Sequence, residues 1–210
     1  MTIEEQIAKI LLKEKAVFLN PDAPFTWTSG LKSPIYCDNR LLISHVEARE
    51  FIVRAFAELI RPLNPDLIAG TATAGIPWGA WVAHELKLPF CYVRSGAKSH
   101  GRKNAVEGAV SSGQKAVLIE DLISTGKSSI EAALKLQEEG VEVVRVLSIF
   151  SYQFQAAEEA FKAHDLSYTP LSNFEILTKV AYDSETLTEA AFKQVLDWRQ
   201  SVTFTTGPKV

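Results

Sequence analysis

The chain has 210 residues, of which 47% are hydrophobic and 22% are charged, and its net charge at pH 7 is −3. This length suits a single domain with a sizeable core, and the slight acidity gives no basic signature of a nucleic-acid or membrane-surface binder. The cysteines, Cys37 and Cys91, lie far apart, which argues against a disulfide scaffold or a thiolate metal site. No apolar run approaches the ~20 residues needed to span a bilayer, and the acidic N-terminus is unlike a secretion signal. We therefore expect a cytoplasmic protein that binds neither nucleic acid nor membranes.

The first 62 residues predict two helices separated by a hairpin. Each helix begins at a serine or threonine with a glutamate three residues later, which is the spacing of a capping box. The two boxes are Thr2 with Glu5 and Ser44 with Glu47. Between the helices, residues 24–37 predict a hairpin that turns at Ser29 and Gly30, and the second helix is expected to end at Pro62.

From residue 66 onward, predicted strands and helices alternate along the chain. The strands are expected at 66–70, 89–93, 115–120 and 142–150, and the helices at 77–87, 128–139, 154–163 and 186–199. Each strand contains a continuous apolar run, as in parallel sheets that are buried on both faces. The predicted fold class is therefore α/β, with a mainly parallel central sheet flanked by helices and ligands at the carboxyl ends of its strands.

The segment 116–130 carries the strongest chemical signal. An apolar strand is expected to end in Glu120 and Asp121, and a polar loop, 124–128, leads into a helix. The free N–H groups and the dipole at such a helix start favour phosphate, whereas carboxylates at a strand end suit ribose hydroxyls. The segment predicts a phosphorylated-sugar site, with hydroxyls toward the two acids and phosphate toward 124–128.

Two other interpretations of this segment stay open. Residues 121–128 match the nucleotide-binding P-loop at Gly126, Lys127 and Ser128, but Asp121 stands where the first glycine of that motif belongs. An aspartate side chain there would repel the phosphate that the glycine admits. The second alternative is an ordinary strand-to-helix turn with carboxylates that are only solvated.

Two further loops follow predicted strands. In residues 70–76, Gly70 and Gly75 would let the backbone approach a ligand closely, although small residues in such a turn also serve simple packing. The loop 94–104 clusters cations without a compensating acid: Arg94, Lys98, His100, Arg102 and Lys103. Clustered cations favour an anionic ligand, and the alternative is a flexible basic surface loop.

Three segments together resemble one enzyme family. Residues 119–129 (IEDLISTGKSS) resemble the phosphoribosyl-diphosphate (PRPP) signature of the type I phosphoribosyltransferases. Residues 25–40 resemble the N-terminal hood of orotate phosphoribosyltransferases, and 92–108 resemble their mobile catalytic loop. The resemblance extends over roughly residues 1–200. It implies a single domain, 1–210, in which a hood of about residues 1–42 plus the C-terminal helix covers a core of about 43–165.

The resemblance implies transfer of the 5-phosphoribosyl group from PRPP to orotate, in a homodimer whose loop 94–104 acts in trans. Mg²⁺ is expected as cofactor, held mainly by PRPP rather than by the protein. The implied catalytic residues are Arg94, Lys98, His100 and Asp121. The implied PRPP-binding residues are the same three cations together with Glu120, Asp121, Leu122, Ile123, Ser124, Thr125, Gly126, Lys127 and Ser128. The implied pyrophosphate loop is Thr71, Ala72, Thr73, Ala74 and Gly75, and the implied orotate contacts are Ser124, Lys32 and Tyr36.

Three positions depart from patterns found in some members of the family. Ala74 stands where some orotate enzymes have a lysine, so any contact to pyrophosphate there comes from backbone N–H groups and threonine hydroxyls of the same loop. Thr28 aligns with a lysine of enterobacterial members, so Lys32 does not simply inherit that role. Tyr152 lies where some members have an arginine for the carboxylate of the base.

Two related functions remain as alternatives. A purine phosphoribosyltransferase would share residues 116–130 but is not expected to carry a hood like 25–40. A PRPP-sensing transcriptional regulator of the same fold would need a DNA-binding element, and the first 20 residues predict one helix without a basic recognition helix.

Overall fold

The computed structural model describes residues 1–27, 30–94 and 105–202. The strands in chain order are β1 (Val17–Leu19), β2 (Phe25–Thr26), β3 (Lys32–Ser33), β4 (Ile35–Cys37), β5 (Leu67–Thr71), β6 (Phe90–Val93), β7 (Val106–Glu107), β8 (Lys115–Ile123), β9 (Glu142–Ser151) and β10 (Tyr168–Asn173). The α-helices are α1 (Ile3–Lys13), α2 (Val46–Ile60), α3 (Gly75–Leu86), α4 (Lys127–Glu138), α5 (Gln155–Ala163), α6 (Phe174–Asp183) and α7 (Glu189–Ser201). Short 3-10 helices span Asn39–Ser44 and Arg61–Leu63.

Six strands form the central sheet, in the order β10-β9-β8-β5-β6-β7. Every neighbouring pair is parallel except β6 and β7. The carboxyl ends of β5, β8, β9 and β10 therefore lie along one edge of the sheet, where ligands of such sheets bind. The predicted fold class, α/β with a mainly parallel sheet flanked by helices, is confirmed.

Helices cover both faces of this sheet. The central strand β5 is buried along its whole length, as expected for a parallel strand between two helical layers. Val117 of β8 belongs to a core cluster with Phe56 of α2 and Trp78 of α3, whereas Leu118 belongs to a second cluster with Phe161 of α5. Successive residues of β8 thus enter two different cores, one on each face of the sheet. Packing on both faces holds the strand, and therefore its carboxyl end, in a fixed position. Within the described ranges, no helix is both long and apolar enough to cross a membrane.

The first predicted capping box is confirmed and the second is wrong. The Thr2 hydroxyl accepts from the backbone N–H of Glu5 at 3.2 Å, and the Glu5 carboxylate accepts from that of Thr2 at 2.9 Å. At the second site, Ser44 ends the 3-10 helix Asn39–Ser44, and His45 is the N-cap of α2 without a side-chain hydrogen bond. Ser44 is already part of a helical turn, so it cannot also adopt the extended backbone of an N-cap.

Strand β10 and helix α6 are absent from the elements that the sequence predicts. The segment 168–173 contains Pro170, which normally interrupts a strand. The proline is tolerated because β10 lies at the edge of the sheet, where one side of its backbone needs no ladder partner. The Asn173 side chain then accepts from the backbone N–H of Ile176 at 3.0 Å and begins α6 at once. The sheet consequently extends to Asn173, beyond the end near residue 165 that was predicted for the core.

The strands of the N-terminal hood form two small antiparallel pairs. The predicted hairpin is confirmed, because β2 pairs with β3, with Phe25 opposite Ser33. Residues 28–29 at its turn lie outside the described residues. A second pair, β1 with β4, was not predicted. The C-terminal helix contacts this region, since the Gln194 side chain donates to the carbonyl of Pro21 at 3.1 Å.

Candidate active site

The two acidic residues lie inside a strand rather than at its end. The strand predicted for 115–120 continues to Ile123, because β9 is long enough to pair with it there. The loop to α4 is therefore only three residues, 124–126. This extension brings Glu120 and Asp121 directly beside the first turn of α4, so the acids and the phosphate loop form one compact site.

Glu120 is buried, with 4% of its surface exposed, and three groups donate hydrogen bonds to its carboxyl group. They are the hydroxyls of Ser128 and Ser129, at 3.1 and 3.2 Å, and the backbone N–H of Asp121, at 3.0 Å. Ser129 was not among the predicted site residues, although it directly follows the predicted phosphate loop in the chain. Both serines lie in the first turn of α4, so they join that helix to β8 through Glu120.

Glu120 and Asp121 are neighbouring carboxyl groups whose pKa values are both raised. Burial, followed by repulsion from Asp121, raises the pKa of Glu120 to about 8. Burial also raises the pKa of Asp121, but a hydrogen bond from the Glu120 side chain opposes that rise. Two adjacent carboxyls titrate as a pair. We infer that Glu120 holds the proton at neutral pH and that Asp121 carries the negative charge.

A Glu120→Gln variant should become more stable relative to the wild type as the pH rises from 5 to 8. The folded-state pKa of about 8 lies above the ordinary value of 4.5, so the folded state binds more protons between these values and wild-type stability falls as the pH rises. The free energy of unfolding of the wild type should fall by at most about 1.4 kcal/mol per pH unit through this one group. Glutamine mimics the protonated acid and lacks this pH dependence.

The measurement is the melting temperature of the ligand-free variant and wild type across this pH range. Glu131→Gln is the control, since it removes an exposed carboxyl from the same helix and so reports any trend that is common to both variants. A difference between Glu120→Gln and wild type that stays constant with pH would contradict the inference that Glu120 is protonated at neutral pH.

Asp121 is fixed through its main chain by a residue from the hood. The side-chain amide of Asn39 donates to the Asp121 carbonyl at 2.7 Å, and the Asn39 side-chain oxygen accepts from the Cys37 thiol at 3.3 Å. Asn39 is fully buried. The sequence alone gives Asn39 no role, because 82 positions separate it from Asp121 and only the fold brings the two together. The hood is thus bonded directly to the acidic strand.

The loop after β8 forms an open cavity of about 340 Å³. Its lining consists of Leu122, Ser124, Thr125, Gly126, Lys127, Ser128 and Glu131. Helix α4 has Gly126 as its N-cap and no side-chain cap, so the N–H groups of its first turn are available to an anion. Gly126 has φ +78°, and a Cβ there would lie 2.6 Å from the Phe161 ring, so this tight turn requires glycine. The cavity has the size and donors for a phosphate group.

The loop predicted to bind pyrophosphate, 71–75, lies beside this cavity. Thr71 ends β5, is 4% exposed, and its hydroxyl has no hydrogen-bond partner among the described residues. The peptide bond between Ala72 and Thr73 is cis. A cleft of about 30 Å³ lies where the loop 71–75, the start of the basic loop and the first turn of α4 meet. Thr71, Arg94 and Ser128, one from each of these segments, contribute to its lining. The unpartnered hydroxyl is a donor that a ligand oxygen could satisfy.

Gly70 and Gly75, in the predicted turn 70–76, have a packing role that does not depend on a ligand. A Cβ at Gly75 would lie 2.4 Å from the carbonyl oxygen of Ile119 in β8, and one at Gly70 would lie 2.7 Å from that of Gly75. Both contacts are with backbone, which cannot move aside as a flexible side chain can. The close approach of α3 to the sheet therefore requires glycine at both positions.

Gly75→Ala should lower the free energy of unfolding by about 3 kcal/mol or more, because the added methyl group overpacks against backbone. Gly113→Ala is the matched control: Gly113 has φ +88° and open space around it. Its cost should be limited to about 1–2 kcal/mol of left-handed backbone strain. Urea unfolding of both variants measures the difference, and equal losses would show that the contact with β8 is unimportant.

Arg94 is the first residue of the basic loop 94–104 and is among the described residues. Its guanidinium lies 3.4 Å from the Glu107 carboxylate, its backbone N–H donates to the Ala105 carbonyl at 2.9 Å, and its own carbonyl accepts from Lys135 at 2.7 Å. These contacts hold the start of the loop at the edge of the site. The remaining cations of the loop lie outside the described residues, and their roles stay predictions: Lys98, His100, Arg102 and Lys103.

Two of the predicted base contacts, Lys32 and Tyr36, are exposed residues of the hood, whereas the third, Ser124, lines the cavity after β8. The Lys32 ammonium donates to the Thr26 hydroxyl at 2.7 Å. The Tyr36 side chain is 38% exposed, and its ring centroid lies 5.7 Å from that of Phe25. Tyr152 is 2% exposed. Its burial prevents it from serving as a substitute for the arginine that some family members have at this place.

The described residues contain no group of three or more His, Cys, Asp or Glu side chains that could hold a metal ion. Glu120 is buried and already accepts three hydrogen bonds, so Asp121 is the carboxylate of the pair that a ligand-borne cation could approach. This arrangement fits a Mg²⁺ ion that arrives with oxygen ligands of its own, since Mg²⁺ in proteins is usually bound by one or two carboxylates plus substrate phosphates and water.

Comparison with known proteins agrees with this geometry. The family of the phosphoribosyl transferase domain matches residues 43–185. The chain is 48% identical over 197 residues to an orotate phosphoribosyltransferase of Coxiella burnetii, covering 93% of this chain and 94% of that protein. It is 46% identical over 203 residues to one of Listeria monocytogenes, covering 96% and 97%. The crystal structure of orotate phosphoribosyltransferase from Aeropyrum pernix is similar with a TM-score of 0.75 and 25% identity, covering 87% of this chain and 99% of that one. This chain belongs to the phosphoribosyltransferase family, among the orotate phosphoribosyltransferases.

Proposed function

We propose that the protein transfers the 5-phosphoribosyl group of PRPP to orotate, yielding orotidine 5′-monophosphate and pyrophosphate, a step of pyrimidine nucleotide synthesis in the cytoplasm. The observation that carries the proposal is the joining of an acidic pair, a phosphate cavity and a small-residue loop at one edge of the sheet. Relatives that are 48% and 46% identical over nearly their whole length bear the name of this activity.

The acidic pair would stabilise the reacting sugar. In glycosyl transfer, the bond from the anomeric carbon to the leaving group breaks as positive charge develops on the sugar ring. Asp121 would supply fixed negative charge near that ring and accept hydrogen bonds from ribose hydroxyls. Glu120, held by the serines of α4, would keep Asp121 in place.

The phosphate cavity would hold the 5′-phosphate, away from the reacting carbon. Binding energy gained there fixes the orientation of the ribose without opposing the chemical step. The first-turn N–H groups of α4 and the hydroxyls of Ser124, Thr125 and Ser128 are the donors in this part of the site. Lys127 is exposed at its rim, where its ammonium lies 3.9 Å from the Glu131 carboxylate.

The leaving diphosphate would lie between the loop 71–75 and Arg94. The unpartnered Thr71 hydroxyl supplies one donor and the Arg94 guanidinium supplies charge. By family resemblance, Lys98 and His100 complete this set from the partner subunit of a homodimer. Closure of the loop over the site would exclude water, which would otherwise hydrolyse PRPP.

Mg²⁺ would be bound mainly by diphosphate and ribose oxygens of PRPP, with Asp121 as the nearest protein carboxylate. When bound, the ion neutralises charge on the departing diphosphate. The protein residues described above would orient the substrate around it.

The proposal is tested by mixing purified protein with PRPP, Mg²⁺ and orotate and following the loss of orotate absorbance. We expect turnover that depends on all three additions and stops when EDTA is present. Efficient use of a purine base, with no use of orotate, would overturn the proposal in favour of a purine transferase. PRPP binding with no turnover of any base would favour a regulator.

A further inference from the structure

The hairpin that carries Lys32 is too small to hold its own position. Strands β2 and β3 are two residues each. An isolated two-stranded hairpin is marginally stable at best, and one this short has too few ladder bonds to fix an orientation. Contacts from elsewhere in the chain must therefore place the hairpin over the carboxyl edge of the sheet.

Trp27 packs directly on the segment after β9, with its ring centroid 5.0 Å from that of Tyr152 and 6.3 Å from that of Phe154. The C-terminal helix α7 supplies a second set of contacts, which includes a hydrogen bond to the Lys32 arm. The indole N–H of Trp198 donates to the carbonyl of Lys32 at 2.8 Å. The Trp198 ring also lies edge-on to the ring of Trp27 on the other arm of the hairpin, with 6.2 Å between centroids. One side chain of α7 thus contacts both arms of the hairpin.

The same helix is attached to the end of β9 through the next residue. The Arg199 guanidinium donates to the carbonyls of Gln153, at 2.6 Å, and Tyr152, at 3.3 Å. It also lies over the Phe174 ring, 5.7 Å from its centroid. A planar guanidinium presents its donors in a rigid fork while its face stacks on an aromatic ring, whereas an ammonium is a point charge on a flexible stem. Arg199 therefore fixes α7 to the carboxyl edge of the sheet.

These contacts form a continuous link from the central sheet to the base side of the site. It runs from the carbonyls after β9, through Arg199 and Trp198, to the carbonyl of Lys32. The PRPP side of the site stands on β5, β8 and α4. Among the described residues, the side-chain hydrogen bonds and aromatic contacts of Trp198 and Arg199 go to the hairpin, the segment after β9 and α6, and not to those three elements.

We propose that Trp198 and Arg199 are positioning residues that set the affinity for orotate by holding the hairpin of Lys32 over the site. The proposal rests on the function proposed above. Neither residue touches the reacting atoms. Their loss should weaken binding of the base while leaving the binding of PRPP unchanged, because the two substrates are held by different elements.

Trp198→Phe is the sharpest test, because it keeps an aromatic ring and removes the donated N–H. We expect the KM for orotate to rise about fivefold, the effect of losing one hydrogen bond of ordinary strength. The KM for PRPP and kcat should change less than twofold. Trp78→Phe is the matched control: the indole N–H of Trp78 has no hydrogen-bond partner among the described residues. The control reports what loss of ring size alone does to either KM.

Arg199→Lys provides a second variant, which keeps the positive charge and loses the paired donors. It should also raise the KM for orotate selectively, and a matching melting temperature would show that the fold is intact. Unchanged KM for orotate in both folded variants, or equal rises in both KM values, would overturn the proposal. A wild-type protein without orotate turnover would instead reject the proposed function, so the two failures are distinguishable.

Discussion

Asp121→Asn should lower turnover of PRPP and orotate by roughly 10²-fold, the scale typical of removing one preorganised electrostatic group from an active site. The substitution keeps the shape of the side chain and removes the negative charge that Glu120, as the proton holder, leaves on Asp121. The main-chain contact from Asn39 is unaffected, because it goes to the Asp121 carbonyl. The fold should therefore survive, with a melting temperature close to that of the wild type.

Asp66→Asn is the matched control for this experiment. Asp66 accepts from the backbone N–H of Lys115 at 2.7 Å, at the opposite end of β8, and an asparagine oxygen can accept the same bond. Exposed acids away from special features usually matter by less than ~0.5 kcal/mol, so its kinetics should match the wild type. Equal kcat/KM values for Asp121→Asn and the control would mean that the acids are only solvated and that the substrate binds elsewhere.

Mixing two inactive variants should restore activity to about a quarter of the wild-type value, by the counting of intact sites in a two-fold dimer. The variants are Lys98→Ala, in the loop that lies outside the described residues, and Asp121→Asn. If the loop acts in trans, each mixed dimer contains one doubly damaged site and one with both residues intact. Random mixing makes half of the dimers mixed, and half of their sites are intact.

The two variants are refolded together and orotate consumption is compared with that of each variant alone. Native mass spectrometry confirms that mixed dimers have formed. If the loop acts in cis, every site keeps the lesion of its own chain. No recovery in a sample that contains confirmed mixed dimers would reject a shared active site.

The strands buried on both faces were predictable, because a short continuous apolar run between turn signals is typical of such a strand. Leu67–Thr71 is such a run. The segment 168–173 was not predictable in this way, since Pro170 is compatible with a strand only at a sheet edge, and edge position is a property of the whole fold. The prediction of a helix cap at Ser44 was wrong for a related reason. Its local capping signal competed with a preceding 3-10 helix that depends on tertiary contacts.

Some residues of the candidate site could likewise be predicted from the sequence, and others could not. The acidic pair and the phosphate loop are contiguous in the chain, so their chemistry could be predicted from the segment 116–130. Asn39, Trp198 and Arg199 act through carbonyl groups of distant residues. A backbone carbonyl leaves no trace in the sequence of the residue that carries it, so such contacts could be found only in the folded structure.

A competition experiment with the wild-type protein tests the proposed transfer to orotate without any substitution. Orotate, uracil, adenine and hypoxanthine are supplied at equal concentrations with limiting PRPP and Mg²⁺, and the nucleotide products are identified by mass spectrometry. We expect orotidine 5′-monophosphate to be the dominant product and pyrophosphate to be released in equal amount. A purine nucleotide or uridine 5′-monophosphate as the main product would contradict the proposed function.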